Sequence, residues 1–590
     1  MSITVDVHLI SGKSVSLETE VDVCLDDLKQ RAQHALGVGK GRLLTASGLA
    51  LDDPVTVKKA RLQDRDVLTL HVGHVRVAAP RMLTNGLRAF AAILGDGAVV
   101  TWGARSFVGD VNAVRDSLQN VQYIQCAALA FAAICADGCV VTWGHDSFGG
   151  DSSSVQDRLQ NVQYIQTCGR AFAAIRADGS VVTWGDANSG GDSSSVQDRL
   201  HNVQHVQASQ HAFAAIRADG SVVTWGDARC GGNSAAVQAR LQHVQHVQST
   251  AAAFAALRAD GAVVTWGNAG SGADSSDMAS QLHSIQHIQS SQRAFAAIRA
   301  DGSVVTWGDA QYGGDSRAVQ DRLQNVQCIQ ASESAFAALR ADGSVVTWGY
   351  ARHGGDSRRV HDLLQNVRHI QASAAAFAAI RSDGSVVTWG DARRGGDCQA
   401  VPNAAGQGDS ARRDRPQSVI RVQASSAAFA AVRADGSVMT WGDGRYGGNS
   451  KDVQHLLQNV QHIQASAGAF AAIRSDGSVV TWGDACSGEE ATLKELNADL
   501  RRAITRGESV PREYKLQAPG EEVQLQGMRR HEGLNGRQGE VLSRIADDQG
   551  FLLVRVQMED GAAKSLPRTG QTCEVGVATP FFPSLLLLRC

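Results

Sequence analysis

Two cysteines have a spacing at which thiols could act together. Cys135 and Cys139 flank the dipeptide Asp137-Gly138, and a tight turn there would let the two sulfur atoms approach each other. A metal site needs further ligands at matched spacing, and an isolated C-x-x-x-C pair does not supply them. We therefore interpret both cysteines as substitutions at variable positions of a repeated unit.

Histidines and aspartates are the other side chains that could bind a metal. The aspartates follow each T-W-G motif, but they lack the dense D-x-D spacing of a calcium loop, so we interpret them as solvated turn residues. The histidines fall at variable strand and loop positions, and we interpret them as surface residues. The residues in question are Asp186, Asp192, Asp227, Asp309, Asp315, His201, His205, His211, His243 and His246.

Three sequence motifs of common catalytic sites are absent from the chain. The sequence contains no P-loop, no G-x-S-x-G and no H-E-x-x-H. It therefore predicts no catalytic residue, no metal and no cofactor, and a protein that is not an enzyme.

Charge and composition restrict the partners and the compartment. The formal net charge of the 590 residues is -3, so there is no basic field of the kind that nucleic acid or a membrane surface requires. Eleven scattered cysteines suit a reducing compartment. The N-terminal residues lack a signal sequence, and the longest apolar run, near 581–588, is too short to span a bilayer. We expect a cytoplasmic or nuclear protein that binds other proteins.

A tandem repeat dominates the chain. A T-W-G motif occurs ten times, and its tryptophans are 41 residues apart at every step except Trp389 to Trp441, where the separation is 52. Such a period is typical of repeat architectures. The tryptophans are Trp102, Trp143, Trp184, Trp225, Trp266, Trp307, Trp348, Trp389, Trp441 and Trp482.

Each unit reads as about three strands, a polar loop and a short helical turn. In the unit at 161–200, VQYIQ alternates as a half-buried strand does, AFAAIR is a second strand, and SVVTW returns after the turn at Asp178-Gly179. We expect the tryptophans and the recurring phenylalanines, such as Phe172 and Phe213, to form the core, with the alanines allowing tight packing. Short antiparallel hairpins favour a propeller over a linear solenoid.

The pattern A/F/A/A/I, D/G, V/V/T/W/G, G/G resembles the regulator-of-chromosome-condensation repeat. The resemblance implies a β-propeller at 84–488. The family fold has seven blades, so ten units leave a larger ring, an open array, or a ring with extra blades as alternatives. The family's histidine before the second strand is replaced here by Ala-Phe, as at Ala171-Phe172. The G/W/R/H/T motif of the related plant ultraviolet-B receptor is absent.

The flanking segments predict smaller domains. Residues 1–75 show the order β-β-α-β-β and resemble the ubiquitin-like fold, whose apolar partner-binding patch would correspond to Ile10, Leu44 and His71. Residues 489–507 form an amphipathic helical pattern. Residues 518–568 resemble a small SH3-like barrel, and residues 569–590 are expected to be an irregular tail.

Three functions follow as hypotheses. The first is a non-enzymatic interaction scaffold, linked to the ubiquitin system because ligases of the HERC type carry such propellers; the catalytic lobe of those ligases has no counterpart here. The second is a nucleotide-exchange factor or regulator for a small GTPase. The third is an ultraviolet receptor built on the tryptophans.

Overall fold

The computed structural model describes most of the repeat array and parts of the segments on either side. The chain divides into two compact units, residues 1–506 and 507–590. The described residues are 2–9, 14–36, 42–45, 51, 56–60, 62–71, 75–79, 89–94, 97–103, 111–397, 418–475, 478–484, 522–524, 538–546, 552–558 and 572–577.

The N-terminal segment is a four-stranded mixed sheet with one helix. Ser2–His8 pairs antiparallel with Ser14–Glu20 and parallel with Asp66–His71, which also pairs antiparallel with Arg42–Leu44. The helix, Leu25–Leu36, lies between the second and third strands in the chain. The predicted order β-β-α-β-β is confirmed.

The alternation of apolar and polar residues in the sequence predicts which side chains form the core of this segment. Ile3, Val5 and Val7 are buried on one side of the first strand, as period-2 patterning requires. The helix buries Leu25, Leu28, Ala32 and Leu36, which repeat at helical spacing. All seven belong to one hydrophobic cluster.

Ten three-stranded antiparallel sheets follow, numbered here as sheets 1 to 10 along the chain. The first strands are Arg76–Ala78, Val121–Cys126, Val162–Thr167, Val203–Ala208, Val244–Ser249, Ile285–Ser290, Val326–Ala331, Val367–Ala372, Val419–Ala424 and Val460–Ala465. The second strands are Ala89–Ile93, Ala130–Cys135, Ala171–Arg176, Ala212–Arg217, Ala253–Arg258, Ala294–Arg299, Ala335–Arg340, Ala376–Arg381, Ala428–Arg433 and Ala469–Arg474. The third strands are Val99–Gly103, Val140–Gly144, Val181–Gly185, Val222–Gly226, Val263–Gly267, Val304–Gly308, Val345–Gly349, Val386–Gly390, Val438–Gly442 and Val479–Gly483.

Short 3-10 segments connect the sheets and confirm the predicted helical turn. Between sheets 2 and 3, Ser153–Arg158 contributes Val155 to the shared core, and Gln156 donates a hydrogen bond of 2.9 Å to the carbonyl of Val140 on a third strand. The segment thus covers an edge that would otherwise expose backbone polar groups. Its counterparts are Val111–Ser117, Ser194–Arg199, Ala235–Arg240, Ser276–Met278, Arg317–Arg322, Arg358–Leu363 and Lys451–Leu456.

Neighbouring sheets pack through one recurring interface. Between sheets 4 and 5, Ala212 and Ala214 of one second strand lie in the same buried cluster as Phe254 and Trp266 of the next sheet. The small alanine side chains leave room for the two aromatic rings, whose centroids are 5.2 Å apart and stacked. The predicted core role of the tryptophans and phenylalanines is confirmed.

The last sheet packs on the first through this same interface. Ala469 and Ala471 of sheet 10 share a buried cluster with Phe90 and Trp102 of sheet 1. The ten sheets therefore form one propeller-like ring, which decides between the closed ring and the open array. Hydrophobic packing closes the ring; within the described residues every sheet remains open at both edges.

The residue before each first strand has a left-handed backbone in most repeats. It is asparagine in six of the eight repeats with a recorded positive φ, but Ser284 occupies the position with φ 55°. Asparagine tolerates this conformation better than serine does.

We expect Ser284→Asn to raise the free energy of unfolding by about 0.5–1 kcal/mol, measured by urea denaturation. Asn325→Ser, at φ 54°, is the reverse substitution and should lower the free energy of unfolding by a similar amount. If both variants were as stable as the wild type, the preference for asparagine at this position would not be energetic.

The C-terminal unit contains a four-stranded antiparallel sheet. Its strands, Glu522–Gln524, Gln538–Ala546, Leu552–Met558 and Thr572–Val577, pair in chain order. The last strand lies in the tail predicted to be irregular, which corrects that prediction: Cys573, Val575 and Val577 alternate with less apolar residues. The predicted helix at 489–507 lies outside the described residues, and the four described strands form an open sheet rather than a closed barrel.

Candidate functional site

The ring has two faces, and the side chains on one of them differ more between repeats than those on the other. The turn after each first strand and the start of the next 3-10 turn lie at one end of the sheet, since the Asp186 amide donates to the carbonyl of Arg170. The D-G turn lies at the opposite end, where the Ala177 amide donates to the carbonyl of Asn161. We call the first end the variable face and the second the constant face.

The constant face repeats one set of contacts. Arg176 donates to the carbonyl of Gln160 at 3.1 Å and pairs with Asp178 at 3.1 Å, while Ser180 donates to the same carboxylate at 2.6 Å. The hydrogen bonds from Ser180 hold the pKa of Asp178 below its usual range, and the charge of Arg176 makes a smaller contribution. The same arginine–aspartate pairs recur around the ring, so this face is explained by turn structure alone.

The variable face presents different side chains in each repeat on an unchanged backbone. Its short 3-10 turns are Asp146–Phe148, Ala187–Ser189, Ala228–Cys230, Ala269–Ser271, Ala310–Tyr312, Ala351–His353, Ala392–Arg394 and Gly444–Tyr446. The last two residues of these turns are mostly arginine, tyrosine, phenylalanine, histidine or serine. The arginines extend into solvent: the side chains of Arg229, Arg352 and Arg445 are 87%, 65% and 81% exposed.

Aromatic and guanidinium groups of adjacent turns meet on this face. Arg170 lies 4.9 Å above the ring of Phe148, and Arg293 lies 5.1 Å above the ring of Tyr312. Tyr350 is 46% exposed, which is large for an aromatic side chain. Arginine and tyrosine are the residues that most often provide binding energy in protein interfaces.

The aspartates after T-W-G cap these turns, as predicted for turn residues. The Asp227 carboxylate accepts from the Arg229 amide at 2.8 Å, and Asp309 accepts from the Gln311 amide at 2.9 Å. Asp186 caps Ser189, and Asp192 and Asp315 each accept from the amide of the first residue in the longer 3-10 segment that follows. These carboxylates satisfy backbone N–H groups that would otherwise lack partners.

The histidines divide into two groups according to their place in the repeat. His201 and His243 are exposed on the constant face, and His211 lies on the variable face, where Ser189 is within 3.1 Å of its Nδ1. His205 and His246 instead lie on first strands, which contact the first strands of neighbouring sheets and so form the innermost circle of the ring. Their repeat position, not their polarity, decides this placement.

First-strand side chains form a collar around the centre of the ring. Each collar residue faces the last aliphatic residue of its second strand, as His205 faces Ile216 and Arg76 faces Ile93. The members are Arg76, Tyr123, Tyr164, His205, His246, His287, Cys328, His369, Arg421 and His462. Aligning the ten repeats on V-Q-X-I-Q would have found nine of these from the sequence; Arg76 lacks the motif.

The predicted partner-binding residues of the N-terminal segment are only partly placed. Leu44, half-buried, lies opposite Thr69, and His71 lies opposite Arg42 on the same pair of strands. Leu44 and His71 are therefore near neighbours in the sheet. Ile10 lies outside the described residues.

Cys135 and Cys139 occupy the ends of a hairpin on the constant face. The Cys135 amide donates to the carbonyl of Cys139 at 2.9 Å, as a tight turn at Asp137-Gly138 requires. Both cysteines are free thiols. Across the described part of the chain, no three His, Cys, Asp or Glu side chains are grouped as a metal site would need. Among the described helices, none has the length and apolar character needed to cross a membrane.

Comparison with known proteins gives weak structural matches. No family model matches the chain. No curated protein matches it either. The structure of Kap60 bound to yeast RCC1 (Prp20) is similar at 15% identity over 58% of this chain and 84% of that one, with a TM-score of 0.29. The ectodomain of the Physcomitrella patens receptor kinase CR4 gives 15% identity, coverage of 48% and 72%, and a TM-score of 0.27. A de novo design based on ubiquitin covers 12% of this chain and 85% of its own, with 17% identity and a TM-score of 0.11. Scores of this size assign no family.

Proposed function

We propose that the protein is a non-enzymatic scaffold whose variable face binds a protein partner. The observation that carries this proposal is the contrast between the two faces. The constant face is fixed by one set of turn contacts, whereas the variable face places different arginine and aromatic side chains on the same backbone. Loops that differ on a rigid framework are where binding proteins place their specificity.

The environment of two buried thiols argues against nucleophilic chemistry at those cysteines. Burial raises the pKa of Cys135 to about 11, with smaller contributions from Asp137 and Cys139. Burial likewise raises the pKa of Cys168 to about 11. Both thiols are therefore protonated at neutral pH, and a protonated thiol is a poor nucleophile. We expect no thioester with ubiquitin at these cysteines, and its detection by non-reducing electrophoresis would contradict the proposal.

We propose that the N-terminal segment links the protein to the ubiquitin system. The order of its elements along the chain is the one on which the predicted resemblance rests, and Leu44 and His71 lie on one pair of its strands. We propose that this segment recruits a second partner while the ring holds the first. The regulator-of-chromosome-condensation type of the ring belongs to this proposal, as does its relation to HERC-type propellers.

Two matched double variants test the variable face. Arg352→Ala with Arg445→Ala removes two exposed arginines from this face, and Arg199→Ala with Arg322→Ala removes two exposed arginines near the constant face. We expect the first variant to lose about tenfold or more of a captured partner, because arginine is enriched among the interface residues whose truncation costs more than about 1 kcal/mol. Quantitative mass spectrometry after affinity capture measures this.

The second variant is the control and should capture the same proteins as the wild type. Equal losses in both variants would indicate non-specific charge attraction and would contradict the proposal. Adding small GTPases loaded with fluorescent nucleotide tests the alternative function. Faster release with the wild type, abolished only in the first variant, would make exchange activity the role of this face.

A further inference from the structure

The collar at the centre of the ring combines protonatable and cationic side chains with an absence of carboxylates. It holds five imidazoles and two guanidiniums, from His205, His246, His287, His369, His462, Arg76 and Arg421. None of the ten first strands carries an aspartate or a glutamate. A third arginine, Arg368, is exposed on a first strand beside the collar.

The collar side chains are close enough to act together. The rings of Tyr164 and His205 stack with centroids 6.2 Å apart. His205 is half-buried, while His246 and His287 on the next two strands are exposed, although the opposite side of each strand is packed against a neighbouring sheet. The exposed side of the first strands therefore lies along the axis of the ring.

A layer of amides adjoins the collar. The residue two positions after each collar residue is glutamine in nine of the ten first strands. Gln125 and Gln166 accept hydrogen bonds from Tyr123 and Tyr164 at 2.6 and 2.9 Å, and an amide N–H remains available as a donor on each. The amide of Gln207 instead donates to Ser249 at 3.3 Å. Cationic groups above and amide donors below are the groups that bind phosphate oxygens.

We propose that the collar binds a compact, multiply phosphorylated small molecule on the axis of the ring. The cations are distributed around a circle rather than along a groove, so a ligand with phosphates directed outward on several sides can contact many of them at once. An extended polyanion would instead need a basic track along a surface. This site is independent of the partner-binding role proposed for the variable face.

Protonation of the histidines gives binding a defined pH dependence. Desolvation among the packed first strands lowers the pKa of His205 and His246, and the next histidine around the collar lowers each further. Burial, followed by Arg421, lowers the pKa of His462 to about 4. These imidazoles are therefore neutral at pH 7.5 without ligand. A bound polyanion stabilises their charged form, so affinity should rise as the pH falls.

The titratable groups around the collar do not oppose this direction. On the ten first strands they are the five histidines, three arginines, Tyr123, Tyr164, Cys126 and Cys328. Glu333 lies in the turn after the first strand of sheet 7, and burial raises the pKa of its carboxyl while Arg394 lowers it. Protonation of this carboxylate at low pH would also favour an anionic ligand.

Titration calorimetry of the full chain with inositol hexakisphosphate tests the proposal. We expect the wild type to bind at least about tenfold more tightly at pH 5.5 than at pH 7.5. His246→Gln with His287→Gln should lose most of this gain. The matched control, His361→Gln with His455→Gln, changes two exposed histidines of the outer 3-10 segments and should retain it.

A second pair of variants covers the case in which the histidine variant fails to fold. Arg421→Gln should weaken binding at both pH values, and Arg421→Lys should restore it. The absence of binding by the wild type, or equal binding by the collar and control variants, would overturn the proposal. Equal affinity for a decameric polyglutamate would also overturn it, because the collar would then bind acidic segments of proteins as well as phosphates.

Discussion

Replacement of Trp266 by alanine is expected to lower the free energy of unfolding by about 3–5 kcal/mol. The indole is 4% exposed and stacks on Phe254, so its removal leaves a cavity between two sheets. Its Nε1 donates to the carbonyl of Gly231 at 3.0 Å, a bond that crosses from one repeat to the next. Guanidinium denaturation followed by far-UV circular dichroism measures the loss.

The rigid neighbourhood of Trp266 explains why the cavity should persist. Gly231 has φ 94°, and a Cβ there would lie 2.5 Å from the ring of Phe254, so the turn already touches the aromatic pair. Trp266→Phe separates the contributions: it retains an aromatic ring but loses the hydrogen bond and some volume, and should cost less than the alanine variant. A near-zero effect of Trp266→Ala would mean that the indole is exposed and that the core is wrongly placed.

Phe90→Ala is expected to cost about as much as Phe254→Ala, again about 3–5 kcal/mol. Both side chains are fully buried, but for different reasons. Phe254 lies between consecutive sheets, whereas Phe90 packs with Ala469 and Ala471 of the last sheet. Equal losses of unfolding free energy in the two variants would therefore indicate a closed ring. Urea denaturation of both variants measures them.

An open array would give a different result. Phe90 would then sit on an exposed end of the array, and its replacement would cost far less than that of Phe254. Ile420→Ala serves as the control, since this isoleucine is 51% exposed and should contribute little in either arrangement. A large loss for Phe254→Ala with almost none for Phe90→Ala would contradict ring closure.

Closure also gives the proposed sites their geometry. Backbone hydrogen bonds join the turns of successive sheets on the variable face, as where the Gln210 amide donates to the carbonyl of Ala251 and the Ala251 amide donates to that of Gln292. Because these bonds continue from sheet to sheet, the side chains on that face are held at a fixed spacing. A partner would meet a surface that is already organised, which lowers the entropic cost of binding.

The sequence by itself determined the repeat and its local structure. The period of 41 residues, the alternation in V-Q-X-I-Q and the D-G turns are local signals, and each predicted the strand or turn that the structure contains. Phe254 and Trp266 could likewise be assigned to the core, because large apolar residues at one fixed position in every repeat must pack in the same way. The assignment of Asp227 to a turn also followed from its place after T-W-G, whereas its capping hydrogen bond was found only in the structure.

Only the tertiary structure decided the ring and the collar. Whether sheet 10 meets sheet 1 depends on a small rotation between neighbouring sheets, accumulated ten times, and no residue pattern records that angle. His205 and His246 illustrate the consequence: from the sequence they were variable polar residues, interpreted as surface positions. Closure places them on one circle with Arg76 and Arg421, although these two are separated by most of the array. Residues far apart in the chain thus acquire a common electrostatic environment only when packing brings the two ends of the array together.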